Sequence, residues 1–144
     1  FNFIFEHQKS IYYDDYAHHP TEIYELLKST RTVYKSKKII SVFQPHRISR
    51  LNYLKTRFTK CFKYSNQVIL CPIYKAGENL KLKFNYFKFA KEIIRNSKVE
   101  LIMINNEKEL ANYAKHNIYG NNIVIGMGAG TISNWMRNLP KLIK

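Results

Sequence analysis

This 144-residue chain is poor in the residues that staple or punctuate a small fold: two cysteines, four prolines, five glycines and one tryptophan. Cys61 and Cys71 have neither a C-x-x-C spacing nor an adjacent His pair, which argues against a zinc site, a redox motif or a disulfide framework. They read as two buried thiols of a reducing compartment, one on a helix and one on a strand. No run approaches the roughly 20 apolar residues that span a bilayer, and Phe1 to Phe5 is too short for a signal-peptide core. Repeats, low-complexity linkers and a G-x-x-x-x-G-K-[ST] phosphate loop are all missing from the sequence. A hydrophobic share of 45% still suffices for one soluble domain with a real core.

Acid is scarce too. Ten Asp and Glu face 24 Lys and Arg, for a net charge of +14. Such an excess suits nucleic acid or other polyanions. Here it is 18 Lys against 6 Arg, spread along the whole chain beside abundant Asn, Ile and Tyr. A solvated basic surface reflecting nucleotide bias of the source genome is the plainer reading; a basic α/β module that binds anions or nucleic acid is the alternative.

The apolar pattern alternates strand and helix. Phe3 to Phe5 and Ile11 to Tyr13, separated by Glu6-His7-Gln8-Lys9, predict a short antiparallel hairpin at the N-terminus. After Pro20, which suits a first helical position, Ile23, Leu26, Leu27 and Val33 fall near helical spacing. Glu22 and Glu25 early and Lys28 and Arg31 late suit the helix dipole. Strands follow at 38–43, 68–71, 99–104 and 122–125, with helices at about 50–62, 87–95, 107–116 and from near Thr131. The fold class expected is α/β: a Rossmann-like, doubly wound, mostly parallel sheet with helices on both faces. Loops after successive strands of such a sheet share one edge, where ligands bind.

Four of those loops carry the chemistry. Tyr13-Asp14-Asp15-Tyr16-Ala17-His18-His19-Pro20-Thr21-Glu22-Ile23 packs two acids and two imidazoles between a strand end and a helix start, where free N–H groups favour an anion. Phe43-Gln44-Pro45-His46-Arg47-Ile48-Ser49-Arg50 holds two guanidinium forks suited to a carboxylate. Tyr74-Lys75-Ala76-Gly77-Glu78 and Gly128-Ala129-Gly130-Thr131-Ile132 follow. Gly126 to Gly130 fails the G-x-G-x-x-G spacing because Thr131 occupies the last position, so tight strand-to-helix packing is the expected role.

In order and spacing these four motifs resemble those of the C-terminal domain of the bacterial Mur ligases, over most of the chain, and especially of the branch that joins L-alanine to UDP-N-acetylmuramate. The resemblance implies a cytoplasmic bacterial enzyme of peptidoglycan synthesis that uses ATP and Mg2+. ATP would phosphorylate the substrate carboxylate, and the alanine amine would attack the resulting acyl phosphate. Three domains make up such a ligase, with the phosphate loop in the central one. The resemblance therefore implies that residues 1–144 are the last domain alone, excised or separately encoded, inactive without the N-terminal UDP-binding and central ATPase domains that hold most of the ATP and Mg2+.

By the same resemblance, Asp15 with Tyr16 would contact ATP, His18 would lie near the aminoacyl substrate, and His46, Arg47 and Arg50 would receive the alanine carboxylate. Each has a plainer role beside it: Asp15 as a cap, the histidines as packed or capping rings, the arginines as solvent-facing charges. Asp14 and His19 read as structural, and Glu78 as a loop anchor ahead of a substrate contact. A metal on Asp15, His18 and His19 fits no zinc spacing. The chain departs from the family pattern at Ala17, where Gly is common, at Ile48, where Tyr is usual, and at Thr131, where Asp or Asn is frequent and whose change weakens a side-chain role there.

Overall fold

A computed structural model of the chain describes residues 1–78 and 83–143. It begins with strands β1 (Asn2–His7) and β2 (Ser10–Asp15), paired antiparallel around a two-residue turn at Gln8 and Lys9. Both turn residues have positive φ, 49° and 71°, the backbone that lets a two-residue hairpin match strand twist. The hairpin predicted from sequence is present, with longer strands and a tighter turn than the polar Glu6 to Lys9 run suggested.

Helices and strands then alternate among the described residues: α1 (Pro20–Val33), β3 (Lys38–Phe43), α2 (Ile48–Lys60), β4 (Gln67–Leu70), α3 (Tyr86–Ser97), β5 (Glu100–Met103), α4 (Glu107–Asn117), β6 (Asn122–Met127) and α5 (Ile132–Leu142). The six strands lie in the order β1-β2-β6-β3-β4-β5, with every pair after the hairpin parallel. The expected doubly wound sheet is therefore the fold. Side chains alternate along each strand, so Ile39, Phe43, Val68, Leu70 and Ile125 pack under α1, α2 and α3. Ile40, Val42, Ile69 and Val124 pack on the other face under α4 and α5.

Element ends shift for local reasons. Helix α1 starts at Pro20 as predicted, but Val33 is exposed at its last turn. Thr30 takes the buried position, its hydroxyl turned back onto the Leu26 carbonyl. Helix α2 begins two residues earlier than predicted, which makes Arg50 its third residue instead of its first, and it breaks helical geometry at Leu54. Cys61 caps α2 and Cys71 lies just past β4; both are buried, and burial pushes both thiols far above the ordinary range. Among the described residues, no helix is long and apolar enough to cross a membrane.

The topology fixes where loops meet. β3 leads through α2 to one side of the sheet, whereas β6 returns to sit between β2 and β3 and leads into α5 on the opposite face. The β6/β3 boundary is thus the switch point of the sheet, and the loops after β2, β3, β4 and β6 open at its carboxyl edge.

Candidate functional site

The first loop is built by two caps. The Asp15 Oδ1 accepts from the Ala17 N–H at 2.8 Å, closing a turn at the end of β2. His19 is the N-cap of α1: its Nδ1 accepts from the Thr21 N–H at 3.2 Å, and the Glu22 carboxylate accepts from the His19 N–H at 3.1 Å. This reciprocal arrangement is a capping box with imidazole in the place of a hydroxyl. Burial would raise the Glu22 pKa, but the backbone N–H groups of His19 and His18 outweigh it and hold the carboxyl below its ordinary range. His19 is structural, as expected. So is Asp14, which is buried and accepts from the Ser133 hydroxyl of α5 at 2.6 Å.

Tyr16 and His18 cap nothing with their side chains; the His18 Nδ1 lies 3.0 Å from the Tyr16 carbonyl. Tyr16 is exposed, and its ring meets that of His18 edge-on at 5.0 Å. His18 in turn faces His46 at 6.2 Å, and His46 stacks on Tyr74 at 5.5 Å. A row of four rings therefore runs from the first loop across the second to the third.

The second loop holds the cations. Arg50 Nη1 donates to His46 Nδ1 at 3.0 Å and to the His46 carbonyl at 3.2 Å. An acceptor Nδ1 leaves the proton of the neutral ring on Nε2. Burial, then the charges of Arg50, His18 and Arg47, lower the His46 pKa and favour that neutral ring. Arg47 is the N-cap of α2 yet makes no side-chain cap, and its backbone sits at φ 66°, ψ 149°. Residues with a Cβ rarely adopt that region, at a cost of about 1–3 kcal/mol.

The third loop compensates. Arg47 N–H donates to the Tyr74 carbonyl at 2.7 Å, and Tyr74 N–H donates to the Pro45 carbonyl at 2.8 Å. Glu78 accepts from the N–H groups of Ile48 at 2.5 Å and Ser49 at 3.3 Å, capping α2 from across the cleft. The Ser49 hydroxyl, then the Ser49 and Ile48 N–H groups, lower the Glu78 pKa against the opposing effect of desolvation. Anchoring is indeed its role, through a helix N-terminus and not through a basic side chain.

The fourth loop packs as close as backbone allows. A Cβ on Gly126 would stand 2.3 Å from Met136 Cγ of α5, and one on Gly130 would stand 2.5 Å from the Tyr74 ring. Gln44, buried at the end of β3, joins this loop to the second: its Nε2 donates to Thr131 Oγ1 at 2.8 Å, and its Oε1 accepts from the Ile132 N–H at 3.0 Å. This corrects the reading of Thr131, whose side chain is engaged after all. Sequence reasoning missed the Gln44 clasp and the Tyr74 platform. The available signal was a lone amide directly after an apolar strand, where an unpartnered polar group would be costly.

All four loops thus meet at the switch point, and the expected site residues divide. His18, His46 and Arg50 lie together; Arg47 stands beside them at the rim of α2; Asp15 and Tyr16 flank them on the β2 side. A separate concavity, lined by α4 and Leu142, carries none of these groups. Among the described residues, no group of three or more His, Cys, Asp or Glu is placed to hold a metal.

Residues 1–130 match the family described as "Mur ligase, glutamate ligase domain". The chain is 57% identical to the UDP-N-acetylmuramate–L-alanine ligase of Pelagibacter ubique, over 99% of this chain and 31% of that protein. It is 38% identical to the ligase of the same name from Sulfurihydrogenibium, over 90% and 28%. The crystal structure of the UDP-N-acetylmuramate–alanine ligase from Thermotoga maritima superposes with a TM-score of 0.73 at 24% identity, covering 96% of this chain and 28% of that one, a likeness of fold. The chain spans about 30% of the length of the curated relatives it matches.

Proposed function

The chain belongs to the Mur ligase family, as its glutamate ligase domain, and from that premise we propose that it is the C-terminal domain of an ATP-dependent ligase joining L-alanine to UDP-N-acetylmuramate. The observation that carries the reading is the convergence of the four loops at the sheet's switch point, with Arg47 and Arg50 in and beside the first turn of α2. Two guanidinium groups there suit the carboxylate of a small amino acid. His46, neutral and hydrogen-bonded to Arg50, adds an Nε2–H donor, and His18 lines the approach.

Asp15 and Tyr16 suit a nucleotide on the neighbouring side. Asp15 keeps lone pairs beyond the one given to Ala17, enough for a ribose hydroxyl, and the exposed Tyr16 ring offers a face to a base. ATP, when bound, supplies the phosphoryl group that activates the sugar's carboxylate; the role of this chain is to fix the acceptor amine against that centre. On this reading Mg2+ and most phosphate contacts belong to the central domain of the full-length ligase, which would act in the cytoplasm of a bacterium.

The test is ATP-dependent phosphate release by the full-length ligase with UDP-N-acetylmuramate and L-alanine. Arg47→Ala should lower kcat/KM for alanine roughly 30- to 100-fold, the loss of a charged hydrogen-bonding partner. Asp15→Ala should raise the KM for ATP and leave that for alanine near wild type. Unchanged kinetics in both variants would mean that the residues are misassigned. Absence of alanine-dependent release in the wild type would overturn the function.

A further inference from the structure

Glu78 is not among the residues placed on substrate above, yet the conformation of Arg47 depends on its loop. A residue at φ 66°, ψ 149° relaxes unless its surroundings over-determine it. Here the Arg47 N–H is fixed by the Tyr74 carbonyl at 2.7 Å, and the next two N–H groups, of Ile48 and Ser49, are fixed by the Glu78 carboxylate at 2.5 and 3.3 Å. Arg47 supplies no cap of its own to α2, so Glu78 takes that place from another loop. It also sets a negative charge at the positive end of α2, where Arg47 and Arg50 would otherwise crowd cations against the helix dipole.

We infer that Glu78 is a positioning residue for the acceptor amino acid: by capping α2 from the third loop it holds the Arg47 peptide in its left-handed conformation and aims Arg47 with Arg50 at one carboxylate. The inference rests on the assignment of those arginines made above. Two links follow from the geometry. Loss of the cap frees the Arg47 peptide to relax and redirects the bond by which its side chain leaves the backbone. The Asp15 and Tyr16 side, built on β2 and held by its own turn, does not share that anchor.

A residue serving stability alone would not choose between two substrates, so the test is a split of KM values in the full-length ligase. Glu78→Ala should raise the KM for L-alanine roughly ten- to hundredfold, the cost of misplacing a reacting partner, with the KM for ATP within about twofold of wild type. Glu78→Gln, whose amide oxygen still accepts an N–H, should recover most of the loss. Arg47→Ala is the control. If it raises the alanine KM while Glu78→Ala leaves it unchanged, or moves both KM values alike, the positioning role is overturned and the proposed function stands. If Arg47→Ala leaves the alanine KM unchanged, the underlying assignment fails and this inference with it. Should Glu78→Ala not fold, Glu78→Asp, shorter by one methylene, decides: a raised alanine KM at constant ATP KM supports the role, and an unchanged one overturns it.

Discussion

His46 shows how single residues in this site serve two ends. Its Nδ1 must stay unprotonated to accept from Arg50 Nη1, and protonation would place a third cation beside Arg50 and Arg47. Burial first, then these neighbouring charges, lower its pKa in the fold from an unfolded value of about 6.5. The unfolded chain then binds the proton more readily than the folded one, so the stabilising contribution is complete above that value and is lost as pH falls through the depressed pKa. Because the ring is partly solvated, the effect is screened to below about 0.5 kcal/mol. Melting curves between pH 7.5 and 5.5 should show a Tm that falls on acidification, and His46→Asn, which keeps an acceptor without titrating, should flatten that slope by on the order of 1–2 °C. Equal slopes in the two proteins would mean that His46 does not titrate in contact with Arg50. Residue identities of this kind were legible in the sequence because the chemistry lies in side chains crowded into short loops. The partners of those side chains were not. Nothing local to Glu78 says that its carboxylate faces the N–H groups of Ile48 and Ser49 thirty positions earlier.

Among the elements, the β1–β2 hairpin is the clearest case of local chemistry set against conformation. Gln8 and Lys9 both occupy positive φ without being Gly, Asn or Asp, and the turn is also held from outside by Gly120 N–H donating to the Gln8 carbonyl at 2.9 Å. Replacing the pair with Asn-Gly should therefore stabilise the domain by about 1 kcal/mol. In a chain of this length that is a gain of about 3–5 °C in Tm. Urea unfolding with an unchanged m-value would confirm it, and a loss of stability would show that the turn is not of this type. The same turn explains a limit of sequence reading: polar Glu6 and His7 looked like loop, yet they belong to β1, an edge strand with no fully buried side chain, where polar residues are tolerated. Helices were legible from local pattern, as at Pro20 with its apolar spacing for α1 and from Glu107 for α4, whereas the Asn106 cap of α4 emerged only in the structure. The strand order was not. Insertion of β6 between β2 and β3 is decided by which face α4 crosses, and no single segment encodes that choice. The site exists only because of this insertion, which brings Gly130 against Tyr74 and Gln44 against Thr131.

At the scale of the whole molecule the scarce carboxylates are spent on architecture. Glu22 caps α1, Glu78 caps α2, Glu109 accepts from the Asn105 N–H, Asp14 holds Ser133, and Asp15 closes a turn. Among the described residues a lysine reaches a carboxylate within ion-pair distance at one place, Lys55 with Glu92 at 3.7 Å. The charge of +14 therefore stands largely uncompensated. Self-repulsion of that kind destabilises the folded state and is screened by salt over a Debye length that shrinks from about 20 Å to about 6 Å between 20 and 300 mM. Raising NaCl over this range should raise Tm by a few degrees, whereas a fold relying on surface ion pairs would lose stability instead. The same titration separates the two readings of the basic surface. Affinity for a nucleic acid probe should fall steeply with salt and should change little with Arg47→Ala or Asp15→Ala, because each alters a single charge on a chain carrying +14. If those two substitutions abolished nucleic acid binding, the four-loop cleft would itself be the polyanion site, and assigning it to an amino acid and a nucleotide would be wrong.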